Sequence, residues 1–185
     1  MSRRIDRYEA ILLVIDMQRK LLPHIDDHES VEQNVIRLIH GTNILGVPAI
    51  ATEQYPQGIG HTTDGVRQAL DQSHGAEAIQ KMTFSSCGSD QFLENIELAK
   101  RRQVILSGVE THVCVYQTAL DLLDRDYQVW VVADAVSSRT ERNRHIALDR
   151  MVAEGARLSS TEMILFELTV ACGTDEFRAI SKLVK

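Results

Sequence analysis

The most restrictive feature of this sequence is a series of short runs that are aliphatic at nearly every position, each leading into a stretch with helical spacing. Ala10 to Ile15, Val47 to Ala51, Val104 to Leu106 and Val129 to Ala133 show no regular alternation of polar and apolar residues. A strand with one wet face alternates, whereas a strand covered on both faces does not. These runs therefore require helices on both sides of a sheet. Ala78 to Met82 is a weaker strand, and Ala156 to Ser160 reads as a short edge strand.

A chain of 185 residues has the size of one domain and is long enough for a substantial core. Helical spacing covers Glu29 to Leu45, Ser89 to Arg102, Val115 to Asp126, Glu141 to Glu154, Thr161 to Leu168 and Asp175 to Leu183. Strand and helix alternate without repeats or linkers. The pattern predicts a single domain over residues 1–185 with an α/β fold: a three-layer α/β/α, Rossmann-like arrangement around a parallel sheet of about six strands. Ser30 and Thr161 are the expected helix caps. Thr52 to His61, rich in Gly, Pro and polar groups, reads as a loop at the carboxyl end of the second strand.

Formal net charge is -6, with Arg3-Arg4 and Lys100-Arg101-Arg102 as the basic clusters. That balance argues against nucleic acid or an anionic membrane surface as the main partner. No apolar run approaches the roughly eighteen residues of a membrane span. Met1 to Glu9 is polar and lacks the apolar core of a secretion signal, so the expectation is a cytoplasmic protein acting on a small molecule. Cys87, Cys114 and Cys172 are odd in number and lack C-x-x-C spacing, which reads as reduced thiols.

Ser107-Gly108-Val109-Glu110-Thr111-His112-Val113-Cys114-Val115 turns an apolar strand into a helix with a cysteine at the turn. In a first helical turn, unpaired N–H groups and the helix dipole favour a thiolate and can hold an oxyanion. Taken alone, each residue has a plainer reading. Lone cysteines mostly pack, Asp16 after a strand is equally a cap or turn residue, and an isolated Lys81 is normally solvated. On a parallel sheet, however, all three fall at the carboxyl ends of strands, the edge where such folds bind ligands. Together they supply a carboxylate to take a thiol proton, an ammonium to hold charge, and a nucleophile.

Three motifs resemble those of the isochorismatase-like cysteine hydrolases: Leu13-Val14-Ile15-Asp16-Met17-Gln18, Lys81-Met82-Thr83-Phe84-Ser85, and Gly108 to Val115. Thr52-Glu53-Gln54-Tyr55-Pro56 and Ala133-Asp134-Ala135-Val136-Ser137-Ser138-Arg139 look most like the isochorismatase domain-containing branch. The resemblance implies an Asp-Lys-Cys triad on Asp16, Lys81 and Cys114, a cis peptide before Glu110, and an oxyanion site from the N–H groups of Val113 and Cys114. It also places Gln18, Gln54 and Glu110 among the substrate or oxyanion contacts, and it implies a homo-oligomer. Tyr55, Phe84, His112 and Tyr116 read as the lining of a small pocket.

The nicotinamidase branch holds a metal through an Asp-x-His and a further His, where this chain has Glu53-Gln54-Tyr55-Pro56 with His61 nearby. One glutamate and one histidine do not make a divalent-metal ligand set, so no metal and no cofactor are expected. An intact cysteine points to hydrolysis of a small amide or related C–N bond through a thioester. Two other readings stay open: a non-catalytic oligomeric or binding protein that keeps the fold, and a redox thiol on Cys114 with Cys87 as its resolving partner. Met163-Ile164-Leu165-Phe166 is either a subunit contact or internal core.

Overall fold

The structure is a computed structural model that describes residues 3–73 and 77–185. Strands β1 (Ala10–Ile15), β2 (Ala49–Gln54), β3 (Ile79–Lys81), β4 (Gln103–Val109), β5 (Gln128–Ser137) and β6 (Arg157–Ser159) form one six-stranded sheet in the order β3-β2-β1-β4-β5-β6. Every pairing in it is parallel. Helices α1 (His28–Ile44), α3 (Asp64–Ser73), α7 (Thr161–Thr169) and α8 (Asp175–Leu183) pack on one face, and α4 (Asp90–Leu98), α5 (Tyr116–Leu123) and α6 (Glu141–Ala153) on the other. A single turn, α2 (Pro56–Ile59), follows β2. This is the expected three-layer α/β/α architecture.

β1 shows why its sequence lacks alternation. Leu12 and Val14 enter the core beneath α1, Ile11, Leu13 and Ile15 enter the core beneath α4 and α5, and no residue of the strand is more than 1% exposed. The strand order reverses direction at β1 and β4, so chain connections leave the sheet on opposite sides there, and in such sheets ligands bind beyond the carboxyl ends of the strands at that point. Asp16 directly follows β1, and the cysteine turn directly follows β4.

Several local expectations are corrected. β2 continues through Gln54, so Thr52 to Gln54 is strand and not loop. β5 runs past Asp134 to Ser137, and the Asp134 carboxylate accepts from the Thr161 N–H and hydroxyl at 2.8 and 3.0 Å. Ser160, not Thr161, caps α7, its hydroxyl accepting from the Met163 N–H. Ser30 lies within α1, which begins after a left-handed Asp27 without a side-chain cap. α3 was not anticipated, although Val66, Ala69 and Leu70 sit at helical spacing and are buried. Ile164 and Leu165 are fully buried, and Leu165 packs against Gly41 of α1, so those two side chains belong to the core. Among the described residues, no helix is long and apolar enough to cross a membrane.

Gly108 is the point where β4 must come closest to β1. It pairs with Ile15, has φ of 108°, and a Cβ built on it would lie 2.0 Å from the Ile15 carbonyl oxygen and 2.6 Å from its nitrogen. Neither backbone atom can give way without separating the strands that carry Asp16 and Cys114. Gly108→Ala is expected to cost more than ~3 kcal/mol, as a backbone clash combined with a disfavoured φ. Denaturant unfolding checks this, and a variant within about 1 kcal/mol of the parent contradicts it.

Candidate active site

Asp16 is fully buried and adopts a left-handed backbone conformation, φ 51°. Its two carboxylate oxygens have different partners. Oδ1 accepts from the Thr52 hydroxyl at 2.8 Å, and Oδ2 accepts from Lys81 Nζ at 2.7 Å. Lys81, at the end of β3, has a fully buried side chain that also reaches Gln54 Oε1 at 2.9 Å and the carbonyls of Phe84 at 3.0 Å and Thr83 at 3.3 Å. Its three protons are thus committed to four acceptors. The ammonium fixes charge and geometry beneath the site and has no proton to spare for a substrate.

Cys114 sits in a turn wider than an α-helix, Thr111–Val115, in which the Val115 N–H reaches the Glu110 carbonyl five residues back at 3.2 Å. Such π-turns occur often at functional sites. The peptide bond between Val109 and Glu110 is cis, in agreement with the family resemblance. Cys114 is 6% exposed and bonds to Asp16. Burial first, and then the Asp16 charge, push its thiol up to about 12, against the opposing pull of Lys81 and a backbone bond from Glu110. The expectation of a thiolate near neutral pH is therefore corrected. Burial and the neighbouring carboxylate both favour the thiol over the thiolate, with Asp16 as its hydrogen-bond acceptor.

The remaining sequence candidates divide. Gln54 bonds Lys81 and, through Nε2, the Met82 carbonyl at 2.9 Å, so it orients the lysine. Gln18 is fully buried and clamps the Gln54 backbone, accepting from its N–H at 2.7 Å and donating to its carbonyl at 2.9 Å. Both amides hold the lysine and the β2 backbone in place. Glu110 is held by a bidentate pair with Arg139, both bonds 3.0 Å. The Val113 N–H already donates to the Glu110 carbonyl at 3.0 Å, which takes it out of the oxyanion role in the resting turn. The Ser138 hydroxyl lies 3.3 Å from the His112 N–H and 2.9 Å from its ring Nδ1.

His112 and Tyr116 border a shallow cavity with Asn143, Ile146, Ala147 and Arg150, and Arg150 lies 4.7 Å over the Tyr116 ring. Tyr55 and Phe84 are half exposed. Glu53 points away from the triad: burial opposes its ionisation, but the Thr62 N–H and hydroxyl and His61 outweigh it and hold its carboxyl below the usual range. Cys87 is buried, and burial followed by the Asp121 charge pushes its thiol up to about 11. Thr52 is the residue that sequence reading missed. Ending β2 at Ala51 hid the fact that Thr52 and Gln54, two apart on a strand, share one face.

A buried carboxylate, a lysine with its protons committed and a buried cysteine meet at the switch point of the parallel sheet of an α/β protein. Residues 10–163 match the Isochorismatase domain, and the chain belongs to the isochorismatase family. At that general level it is a hydrolase. Bovine isochorismatase domain-containing protein 2 is 38% identical, with 95% of this chain and 83% of the relative aligned. The secreted isochorismatase effector Isc1 of Phytophthora sojae is 36% identical over 98% of this chain and 87% of its own. Among solved structures, MAR1 ribonuclease from Caenorhabditis elegans superposes with a TM-score of 0.92 at 36% identity, covering 98% of this chain and 92% of that one. The YcaC gene product of Escherichia coli, described as an octameric hydrolase of unknown specificity, gives 0.91 at 25% identity over 99% and 91%.

Exposure and protonation together reverse the order of thiol reactivity that the sequence implies. Cys172 is exposed while Cys87 and Cys114 are buried. Iodoacetamide at neutral pH is expected to label Cys172 first, and the rate at Cys114 to climb with pH toward its value of about 12, because only the thiolate is alkylated. Peptide mapping of the labelled protein reads this out. Fastest labelling at Cys114 at neutral pH contradicts the protonated resting state.

Proposed function

We propose that the protein is a cysteine hydrolase of small amides or related C–N compounds. The observation that carries this reading is the Cys114 thiol bonded to an Asp16 that is itself paired to a buried Lys81 at 2.7 Å. A thiol held near 12 is a poor nucleophile until its proton is removed during attack, and a carboxylate in contact with it is the group to remove it. In the first half-reaction the sulfur proton moves to Asp16 as the carbon–sulfur bond forms. Asp16 then returns that proton to the departing nitrogen as the C–N bond breaks, leaving a thioester on Cys114. Water attacks the thioester with Asp16 as base, the acid departs, and the thiol regains its proton. Lys81 holds the Asp16 carboxylate in place through its 2.7 Å bond to Oδ2 in each half-reaction.

A small substrate suits a site set in a crevice between two strand ends and not along an extended groove. The C. elegans relative called a ribonuclease supports a second reading, RNA cleavage. The net charge of -6 and the absence of a large basic cluster in the sequence weigh against it. The octameric E. coli relative supports a homo-oligomer. No step in the scheme uses a metal or cofactor, and the reading places the enzyme in the cytoplasm.

A panel of small amides, ureides and carbamoyl compounds, together with a single-stranded RNA, tests the readings against each other. With the substrate so found, Cys114→Ala is expected to be inactive, and Asp16→Asn to remain folded and lose about 100-fold or more in turnover. Mass spectrometry of enzyme quenched during turnover is expected to show an acyl adduct on Cys114. Turnover indifferent to Cys114→Ala, or RNA cleavage alone, overturns the amide reading. Chelator treatment is expected to leave activity unchanged, and activity restored by added zinc contradicts the scheme.

A further inference from the structure

Thr52 grips Asp16 twice. Its carbonyl accepts the Asp16 N–H at 3.2 Å, and its hydroxyl donates to Asp16 Oδ1 at 2.8 Å. The register that pairs Ile15 with Thr52 places both groups there, and Thr52 is 1% exposed. Resting on the reading of Asp16 as the general base, we propose that Thr52 is a positioning residue that keeps this carboxylate ionised and turned toward Cys114 through the catalytic cycle.

Three observations carry the assignment. First, the counter-charge is shared: Lys81 divides its protons among Asp16, Gln54 and two backbone carbonyls, so it is one donor to the carboxylate and acts at Oδ2 alone. Oδ1 takes its hydrogen bond from the neutral Thr52 hydroxyl. A buried carboxylate lacking one of its donors shifts toward the protonated form, in which it is no longer a base. Second, the carboxylate needs a fixed plane. Donors on both oxygens from two different strands, β2 and β3, prevent rotation about its terminal bond and so keep one orientation toward the sulfur. Third, the arrangement belongs to β2 as a unit. Thr52 holds the base, Gln54, on the same strand face, holds the cation, and Gln18 fixes the Gln54 backbone in turn.

The charged and titratable groups that act on this cluster are Lys81 from β3 and Cys114 from the turn after β4. Neither is altered by removing the Thr52 hydroxyl, which makes Thr52→Val a clean perturbation: the shape is kept and the donor is lost. Thr52→Ser restores the donor without the methyl group.

The test is direct titration of the carboxylate in protein labelled with carbon-13 at the aspartate carboxyl groups, with the Asp16 signal assigned by its loss in Asp16→Asn. In Thr52→Val the signal is expected to titrate at a pH higher by about one unit, the scale of one hydrogen bond to a charged group. Thr52→Ser is expected to return it to within a few tenths of a unit of the parent. An Asp16 signal that stays ionised to the same pH in Thr52→Val and the parent overturns the proposal. So does a Thr52→Ser protein that behaves like Thr52→Val, because the methyl and not the hydroxyl is then responsible. Thr52→Ala carries the same measurement if the valine variant does not fold. The outcome is independent of any substrate. A failed Cys114 adduct sinks the hydrolase reading, and an unmoved Asp16 titration sinks the role of Thr52.

Discussion

The ion pair between Asp16 and Lys81 is the interaction on which the rest of the site depends. Both side chains are fully buried and their atoms are 2.7 Å apart. Two charges taken out of water at this depth are tolerated only when every remaining donor and acceptor is satisfied, and removal of either partner alone typically costs ~3–5 kcal/mol. That requirement explains the crowd around the pair: Thr52 on one carboxylate oxygen, and Gln54, Thr83 and Phe84 on the ammonium. The polar shell is the condition under which a carboxylate can remain a base at the bottom of an apolar sheet.

From that pair the behaviour of the sulfur follows. Cys114 meets a carboxylate that repels its thiolate and accepts from its thiol, and burial acts in the same direction. The lysine and the Glu110 backbone oppose them and lose. A thiol held in its protonated form does not react with incidental electrophiles. The helix-terminus argument for a standing thiolate fails for a local reason. The residues around Cys114 form a π-turn whose N–H groups at Val113 and Val115 both turn back onto the Glu110 carbonyl.

The arrangement of the site is written in the alternation of β2. Thr52 and Gln54 face the Asp16–Lys81 pair, while Glu53 between them faces Thr62 and His61. One strand thus separates the triad from a second buried carboxylate on the other side of its backbone. Glu53 and His61 fall together in space as the sequence suggests, and their contacts form a closed pair that ties the segment after α2 back to the strand.

The sequence by itself determined the architecture and the sheet edge at which Asp16, Lys81 and Cys114 fall. Uninterrupted aliphatic runs bounded by helical segments fit a sheet covered on both faces, and residues that follow such runs are carried to one edge by parallel chain direction alone. That logic is local and periodic, so it survives without coordinates. Strand ends, caps and partners were decided elsewhere. Thr52 continues β2 by pairing with Ile15 of β1 and Ile79 of β3, and Gln54 by pairing with Lys81 of β3. Gln18 and Glu110 are polar residues whose roles were settled by Gln54 and Arg139, which are distant in the chain. The protonation of Cys114 is likewise a sum over burial and two charges brought in from β1 and β3, a quantity that exists only once the chain has folded.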